Sequence, residues 1–421
     1  MKHVILGNGP AGVIAAETIR KHAPRDEITL IGDEPEPPYS RMAIPYLLSG
    51  TIGEEGTYLR KDKGHFAARN IALRTGRAKS VDAKKRAVLL DDGTALAFDR
   101  LLIATGSSPA HPAIEGIDLP GVHPCWTLAD ARKIMALAKP GARVLQMGAG
   151  FIGCIIMESL ASRGVVLSVV EMGDRMVPRM MGVGAGGMIK RWVESKGVKV
   201  HTSSRVEAIQ KNGNALSVRL SNGVKIDADL VISATGIKAN VGFLQSSGVS
   251  CAHGVLTDEY LQTNVPGVFA AGDCAETLDL VSGKHLISAI QPNAADEAYC
   301  AGMNMTGKTM ALRGVTQLNV LDTLGLISTS FGAWQGVPGG AYAEVSDAKN
   351  YRFLRLEFGG DVLVGANCVG LTEHVGVLRG LIQSRTALGA WKDRLLHNPL
   401  ALMEAYLATA QAQSAWGLKK A

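Results

Sequence analysis

The hexapeptide Gly7-Asn8-Gly9-Pro10-Ala11-Gly12, repeated in kind as Gly148-Ala149-Gly150-Phe151-Ile152-Gly153, restricts this chain more than any other feature. Glycines at the first, third and sixth positions meet three separate needs: a tight turn, close approach of backbone to a pyrophosphate, and close packing of helix on strand. The flanks complete the pattern. An apolar run precedes each turn (His3 to Leu6; Arg143 to Met147), a helical stretch follows (Ala11 to His22; Ile155 to Arg163), and a second apolar run closes the unit (Ile28 to Ile31; Leu167 to Val170). Each segment predicts a βαβ unit whose helix turns its positive end toward phosphates. One such turn arises for structural reasons alone; two with complete flanks point to two bound dinucleotides.

Each second run ends at an acid. Glu34, in Gly32-Asp33-Glu34, stands where a ribose hydroxyl would arrive in the first unit, and Glu171 does so in the second. A carboxylate at that strand end accepts hydrogen bonds from both ribose hydroxyls of NAD and repels the 2′-phosphate of NADP. Met172 and Gly173 are uncharged, so NAD is favoured; Arg175 is the nearby basic residue that argues the other way.

Three further strand-like runs end in small residues, at Ala104-Thr105-Gly106, Ala234-Thr235-Gly236 and Ala271-Gly272-Asp273. Thr105, Gly106 and Gly236 would let backbone pass close to a ligand. Asp273 sets a carboxylate on the ligand-facing edge of an α/β sheet.

The composition fits this reading. At 421 residues the chain exceeds one hydrophobic core and, at roughly 150 residues per domain, predicts about three domains. Its 49 glycines follow no collagen-like period and match many strand-to-helix turns, while 47% hydrophobic residues against 19% charged argue against disorder. The six cysteines are far apart, with no C-x-x-C pair and no short ligand run, which excludes a dithiol centre and an iron–sulfur cluster of the chain's own. Buried or inert thiols are expected for all six, and no metal site is expected. The apolar N-terminus is broken by Gly7, Asn8, Gly9 and Pro10, and no run reaches the ~20 apolar residues of a membrane span, so a cytoplasmic protein is expected. Between Arg60 and Arg86 ten basic residues face two acidic ones, with Phe66 the one aromatic. That stretch lacks the stacking rings of a single-strand nucleic-acid surface; it reads as a solvated face or as a docking patch for an acidic partner.

With these motifs in order, the chain resembles the pyridine-nucleotide-disulfide oxidoreductase superfamily over essentially its whole length. Within it the resemblance is to NADH-dependent rubredoxin, ferredoxin and nitrite reductase flavoproteins and, among multisubunit assemblies, to the FAD/NAD subunit of phenylglyoxylate dehydrogenase. The resemblance implies an α/β fold: two Rossmann-like, glutathione-reductase-like domains, the first binding FAD and the second NAD, plus a C-terminal α+β interface domain. The implied boundaries are 1–112 with 242–311 for FAD, 113–241 for NAD and 312–421 for the interface domain.

Carried over residue by residue, the resemblance gives Gly7, Gly9, Pro10, Ala11, Gly12 and Glu34 to the adenosine half of FAD, Thr105 and Gly106 to its surroundings, and Asp273 to its ribityl side. Gly148, Gly150, Phe151, Ile152, Gly153, Glu171 and Gly236 fall to NAD. Arg41, in the loop Pro37 to Arg41, and Gln291, at the start of a helix, are placed near the flavin. The two Ala-Thr-Gly segments mark crossings between domains.

Three departures qualify the resemblance. Ser40 stands where thiol-using relatives carry cysteine, Ile155 where many carry a glutamate near the nicotinamide, and Ala43 to Pro45 lack the lysine of ferredoxin reductases. Thiol catalysis is therefore excluded, and hydride would pass between nicotinamide and flavin without an acid, base or nucleophile from the protein. Electrons must then leave for an iron–sulfur protein or subunit, in either direction of NAD(H) turnover. A redox-sensing module that holds FAD and NAD without turnover, or an oxidase, are the other readings. In the C-terminal segment, Leu400, Met403 and Leu407 are expected in the core, Asn398 and Pro399 to break two helices, and Trp334, Trp391 and Trp416 to be buried.

Overall fold

A computed structural model of the chain describes residues 1–411. Tertiary contacts divide it into two compact units, residues 1–110 with 237–315, and residues 111–236 with Thr316 onward. The first fingerprint lies in β1 (Lys2–Leu6), α1 (Pro10–His22) and β2 (Glu27–Gly32), and the second in β3 (Arg143–Met147), α2 (Phe151–Ala161) and β4 (Val166–Val170).

The central strand of each unit is buried on both faces, as a parallel sheet requires. In β1, Val4 and Leu6 pack with Val88 and Leu101 on one side, while Ile5 packs with Ala15, Ile19 and Ala298 on the other. All five strands of the first sheet are parallel, in the order Val268–Ala270, Arg100–Ile103, β1, β2, Ile71–Thr75. The second unit repeats this arrangement with Val122–Pro124, Leu230–Ser233, β3, β4, Lys199–His201. Both glycine turns thus sit at the carboxyl end of a central strand, where ligands of open α/β sheets bind.

Helix α1 opens on Pro10, whose fixed φ suits a first helical position, and its last turn carries Arg20 and Lys21, whose charge complements the helix's negative end. It packs along α3 (Gln291–Met305) through small residues. A Cβ on Gly302 of α3 would stand 3.0 Å from Thr18 and 3.3 Å from the Ala15 carbonyl oxygen, so the glycine lets the two helices approach.

The C-terminal part of the second unit is a five-stranded antiparallel sheet in the order Leu318–Thr323, Leu326–Gly332, Val362–Val369, Arg352–Gly359, Ala341–Asp347. Side chains join it to the second nucleotide fold: Trp192 Nε1 donates to the carbonyls of Thr323 and Leu324 at 3.1 and 3.0 Å, and Asn367 Oδ1 accepts the Gly182 N–H at 2.8 Å. Helices Ala390–His397 and Leu402–Tyr406 flank a break at Asn398 and Pro399. The break shifts the buried stripe. Leu402, Ala405 and Thr409 face inward, whereas Leu400 and Leu407, expected in the core, are exposed and Met403 is half-buried, because the helix restarts after Ala401 in a new phase. Trp334 and Trp391 are half-buried rather than core residues, Trp391 carrying the Arg394 guanidinium 4.6 Å from its ring centre; Trp416 lies outside the described residues. Among the described residues no helix is long and apolar enough to cross a membrane.

The basic stretch is partly neutralised within the fold. Arg60 makes a two-pronged pair with Glu17, which also meets His65, and Arg74 pairs with Asp92. Lys79, Lys84 and Lys85 remain exposed around the turn between strands Ala78–Asp82 and Ala87–Leu90.

Candidate dinucleotide sites

The six fingerprint glycines divide into two kinds. Gly7 (φ +110°) and Gly12 are required by the chain itself: a Cβ there would stand 1.9 Å from the Ala104 oxygen and 1.8 Å from the Gly7 oxygen. Gly148 (φ +97°) and Gly153 repeat this, each with backbone oxygen 2.4 Å from the added atom. A Cβ on Gly9 or Gly150, in contrast, meets nothing within 4 Å. These two residues are the N-caps of α1 and α2, and neither supplies a side chain to accept the first-turn N–H groups. Open space before unclaimed N–H donors at the positive end of a helix fits a pyrophosphate in both units. Pro10 and Ala11 form the first turn at one site, Phe151 and Ile152 at the other.

The acid ends differ between the units. Glu171 follows β4 directly; its Oε2 accepts the Ala149 N–H and its Oε1 the Gly173 N–H, both at 2.7 Å. The carboxylate is thereby fixed beside the glycine turn with lone pairs left for a diol. Arg175 already has partners in the protein: it donates to the Met181 carbonyl at 2.8 Å and pairs with Asp174 at 2.6 Å.

In the first unit the register counterpart of Glu171 is Gly32, because Leu6 pairs with Ile31 as Met147 pairs with Val170. A Cβ on Gly32 would stand 2.2 Å from Asn8 Nδ2, so the Asn8 amide fills that place. Two acids follow. Asp33 is exposed, with Arg77 at 4.0 Å. Glu34 turns toward its own loop, accepting the Tyr39 hydroxyl at 2.6 Å and the Arg41 guanidinium at 2.8 Å.

Around Asp273 several predicted residues converge. Its Oδ2 accepts the buried Ser107 hydroxyl at 2.8 Å; burial pushes its carboxyl above the usual range, opposed by that hydrogen bond and by Arg41. Arg41 also donates to the Ser107 carbonyl at 3.3 Å. Ser40 donates to Gln291 Oε1 at 2.6 Å, joining the loop of Arg41 to the start of α3. Thr105 serves the backbone: its hydroxyl donates to the Asn240 carbonyl at 2.8 Å, and Asn240 Nδ2 returns a bond to the Thr105 carbonyl at 3.0 Å. Gly106 (φ +63°) and Gly236 (φ +117°) precede Ser107–Pro109 and Ile237–Ala239, which pair antiparallel. Ile155 is half-buried on α2.

Sequence reasoning missed Asn240, Ser107 and Glu297. The first two carry no local signal. Glu297 does, as a lone acid on the apolar stripe Ala294, Ala298, Ala301 of α3. Five of the six cysteines are buried and Cys251 is exposed. Burial pushes Cys125, Cys154 and Cys368 up to about 12 and Cys274 and Cys300 up to about 11, far from thiolate chemistry.

The model of the pyridine nucleotide-disulphide oxidoreductase family matches residues 1–298. The chain belongs to that family. Among its relatives is the epsilon subunit of NADH-dependent phenylglyoxylate dehydrogenase of Aromatoleum evansii, 33% identical over 405 residues, which cover 95% of this chain and 96% of the relative. The ferredoxin–NAD(+) reductase component of the biphenyl dioxygenase system of Paraburkholderia xenovorans (strain LB400) is 32% identical over 273 residues, 64% of this chain and 66% of the relative. Among solved structures, an NAD-dependent persulfide reductase from A. fulgidus superposes with a TM-score of 0.86 at 28% identity, covering 93% of this chain and 79% of that one. The chain is thus a flavin-dependent oxidoreductase that binds FAD and NAD(H), and the two open N-caps fit those groups.

Proposed function

We propose that this protein passes electrons between NAD(H) and an external iron–sulfur protein or subunit, and that it does so as the NAD-reducing FAD subunit of a 2-oxoacid-oxidising complex. The observation that carries this is end-to-end similarity to a subunit of such a dehydrogenase, 95% of one chain against 96% of the other. The described cysteines support it: with five buried and none placed for a dithiol, reducing equivalents have no covalent station on the chain.

When bound, FAD supplies hydride exchange with the nicotinamide and electron release to a one-electron partner. The protein's part is placement. Gly9, Pro10, Ala11 and the start of α1 take the FAD pyrophosphate, and Asp273, held by Ser107, takes the ribityl hydroxyls. Asp33 is the exposed acid past Gly32 available to the adenosine ribose, while Glu34 positions Tyr39 and Arg41. Gly150, Phe151 and Ile152 take the NAD pyrophosphate, and Glu171 its ribose diol.

A second reading, a free-standing NADH-dependent ferredoxin reductase, is favoured by similarity to the biphenyl dioxygenase component. Affinity purification from the native host separates the two. Copurification of an iron–sulfur subunit with a 2-oxoacid-oxidising enzyme, and NAD reduction by chemically reduced ferredoxin, support the complex. Isolation as a single polypeptide that reduces ferredoxin from NADH supports the free reductase.

A further inference from the structure

Glu297 is among the most deeply buried acids of the first unit, 1% exposed, and none of the placements above uses it. It sits in the second turn of α3, and its carboxylate reaches to the turn that carries Asp273. Oε2 accepts the Gly272 N–H at 2.7 Å, and Oε1 accepts the Thr277 hydroxyl at 2.9 Å. Gly272 has φ +81°, the left-handed region that favours glycine, and the place its Cβ would take lies 3.3 and 3.6 Å from the Cβ atoms of Ala11 and Ala294, so the turn packs between α1 and α3.

The groups that face Glu297 can be named element by element. Asp273 comes from the turn, Asp296 and Cys300 from its own helix, and Thr277 from the strand Ala275–Leu278. The face of α1 that packs on α3 offers Ala11, Ala15 and Thr18. Two like charges and two hydrogen-bond donors therefore act on one desolvated carboxyl. We propose that Glu297 is the charge-setting residue of the FAD site: neutral, its carbonyl oxygen keeps the Gly272 N–H while its own hydroxyl turns to the Thr277 oxygen, and no charge stands behind Asp273; ionised, it holds Gly272 at least as firmly but adds a negative charge behind Asp273, and that charge weakens the hold on FAD.

The direction follows from burial, which pushes Glu297 up to about 8 against the pull of its Gly272 and Thr277 hydrogen bonds. FAD carries an anionic pyrophosphate, so a second carboxylate in a desolvated pocket opposes it more strongly than it would in water. Glu297 acts through Gly272 and Asp273 and is a positioning residue.

The test uses full-length apoprotein, with FAD binding followed by quenching of flavin fluorescence across the range from about pH 6 to pH 9.5. FAD affinity is expected to fall about tenfold across the transition of Glu297, since a proton taken up with the cofactor links the two equilibria. Glu297→Gln, whose amide oxygen can still accept the Gly272 N–H, is expected to bind FAD with little pH dependence; an unchanged pH profile would overturn the proposal. Carbon-13 NMR of glutamate side chains in the unsubstituted apoprotein gives an answer independent of any variant. A carboxyl titrating between about pH 7 and pH 9 supports the proposal, and full ionisation of every glutamate at pH 6 overturns it. Asp273→Asn tests the underlying placement: unchanged FAD affinity would overturn the assignment of Asp273 and the proposal with it.

Discussion

The Oε2 of Glu171 accepts the N–H of Ala149 at 2.7 Å, tying the end of one strand to the glycine turn that leaves its neighbour. The carboxylate is therefore fixed before any ligand arrives, and the nearby Arg175 is bound to Met181 and Asp174.

Cofactor choice should follow from this pair. Glu171→Arg is expected to raise KM for NADH by roughly 10- to 100-fold, the cost of about 1–3 kcal/mol of unmet hydrogen bonds, and to lower KM for NADPH. Steady-state kinetics with both nucleotides checks it; an unchanged NADH to NADPH ratio would remove Glu171 from the ribose site.

The division of the glycines makes a sharper test. Gly148→Ala forces a Cβ into the Ala234 carbonyl at positive φ and is expected to lower Tm by roughly 4 °C or more, with loss of NAD binding as a by-product. Gly150→Ala has open space for its methyl, so Tm should hold while Kd for NAD rises about tenfold as the methyl meets the pyrophosphate. Thermal melts and calorimetry on both variants decide it, and equal loss of stability in the two would refute the division.

Acid sensitivity should trace to His3. Its ring is buried, with Nε2 on Asp26 at 2.8 Å and Nδ1 without a partner, and burial holds its pKa below 6.5 against the raising effect of Asp26. The unfolded chain then binds the proton more readily than the folded one. Stability contributed by the neutral ring is present above pH 6.5 and is lost as pH falls from there toward the folded-state value. Glu297 works with the opposite sign between 4.5 and about 8, so wild type is compared with His3→Gln at each pH. The decline in Tm between about pH 7 and pH 5 is expected to be shallower in His3→Gln; parallel curves would exonerate His3.

Turnover should be indifferent to thiol reagents. Iodoacetamide on the folded holoenzyme is expected to label Cys251 and leave the five buried cysteines unmodified, with NADH-driven acceptor reduction unchanged. Mass spectrometry with a parallel assay reads both, and inactivation tracking one label would reinstate a catalytic thiol.

Partner coupling tests the basic turn. Exchanging Lys79, Lys84 and Lys85 for glutamate leaves Arg86 in place, whose guanidinium bonds the Asp99 carbonyl at 2.9 Å. The salt dependence of ferredoxin reduction should weaken in this variant; an identical salt profile returns these lysines to plain solvated surface.

The sequence by itself determined both βαβ units. The strand Arg143–Met147 falls where the apolar run placed it, and β1, β2 and β4 differ by a residue at their ends, because glycine spacing and apolar runs are local signals, whereas α2, expected over Ile155 to Arg163, runs Phe151–Ala161 and begins inside the glycine turn itself. It also determined the family, since two fingerprints with flanks leave few alternatives. Which glycines the chain itself requires and which leave open space was decided by tertiary structure, because Ala104 and Ala234, whose carbonyls exclude a Cβ at Gly7 and Gly148, come from distant segments. The same holds for the carboxylates. Asp33, Glu34 and Glu171 look alike as letters, yet Tyr39 and Arg41 engage Glu34, Asn8 fills the place beside Gly32, and backbone N–H groups fix Glu171. Glu297 is the extreme case. Its neighbours Gly272 and Thr277 lie 25 and 20 residues away, and only the packing of α3 on that turn makes an ordinary glutamate a buried one.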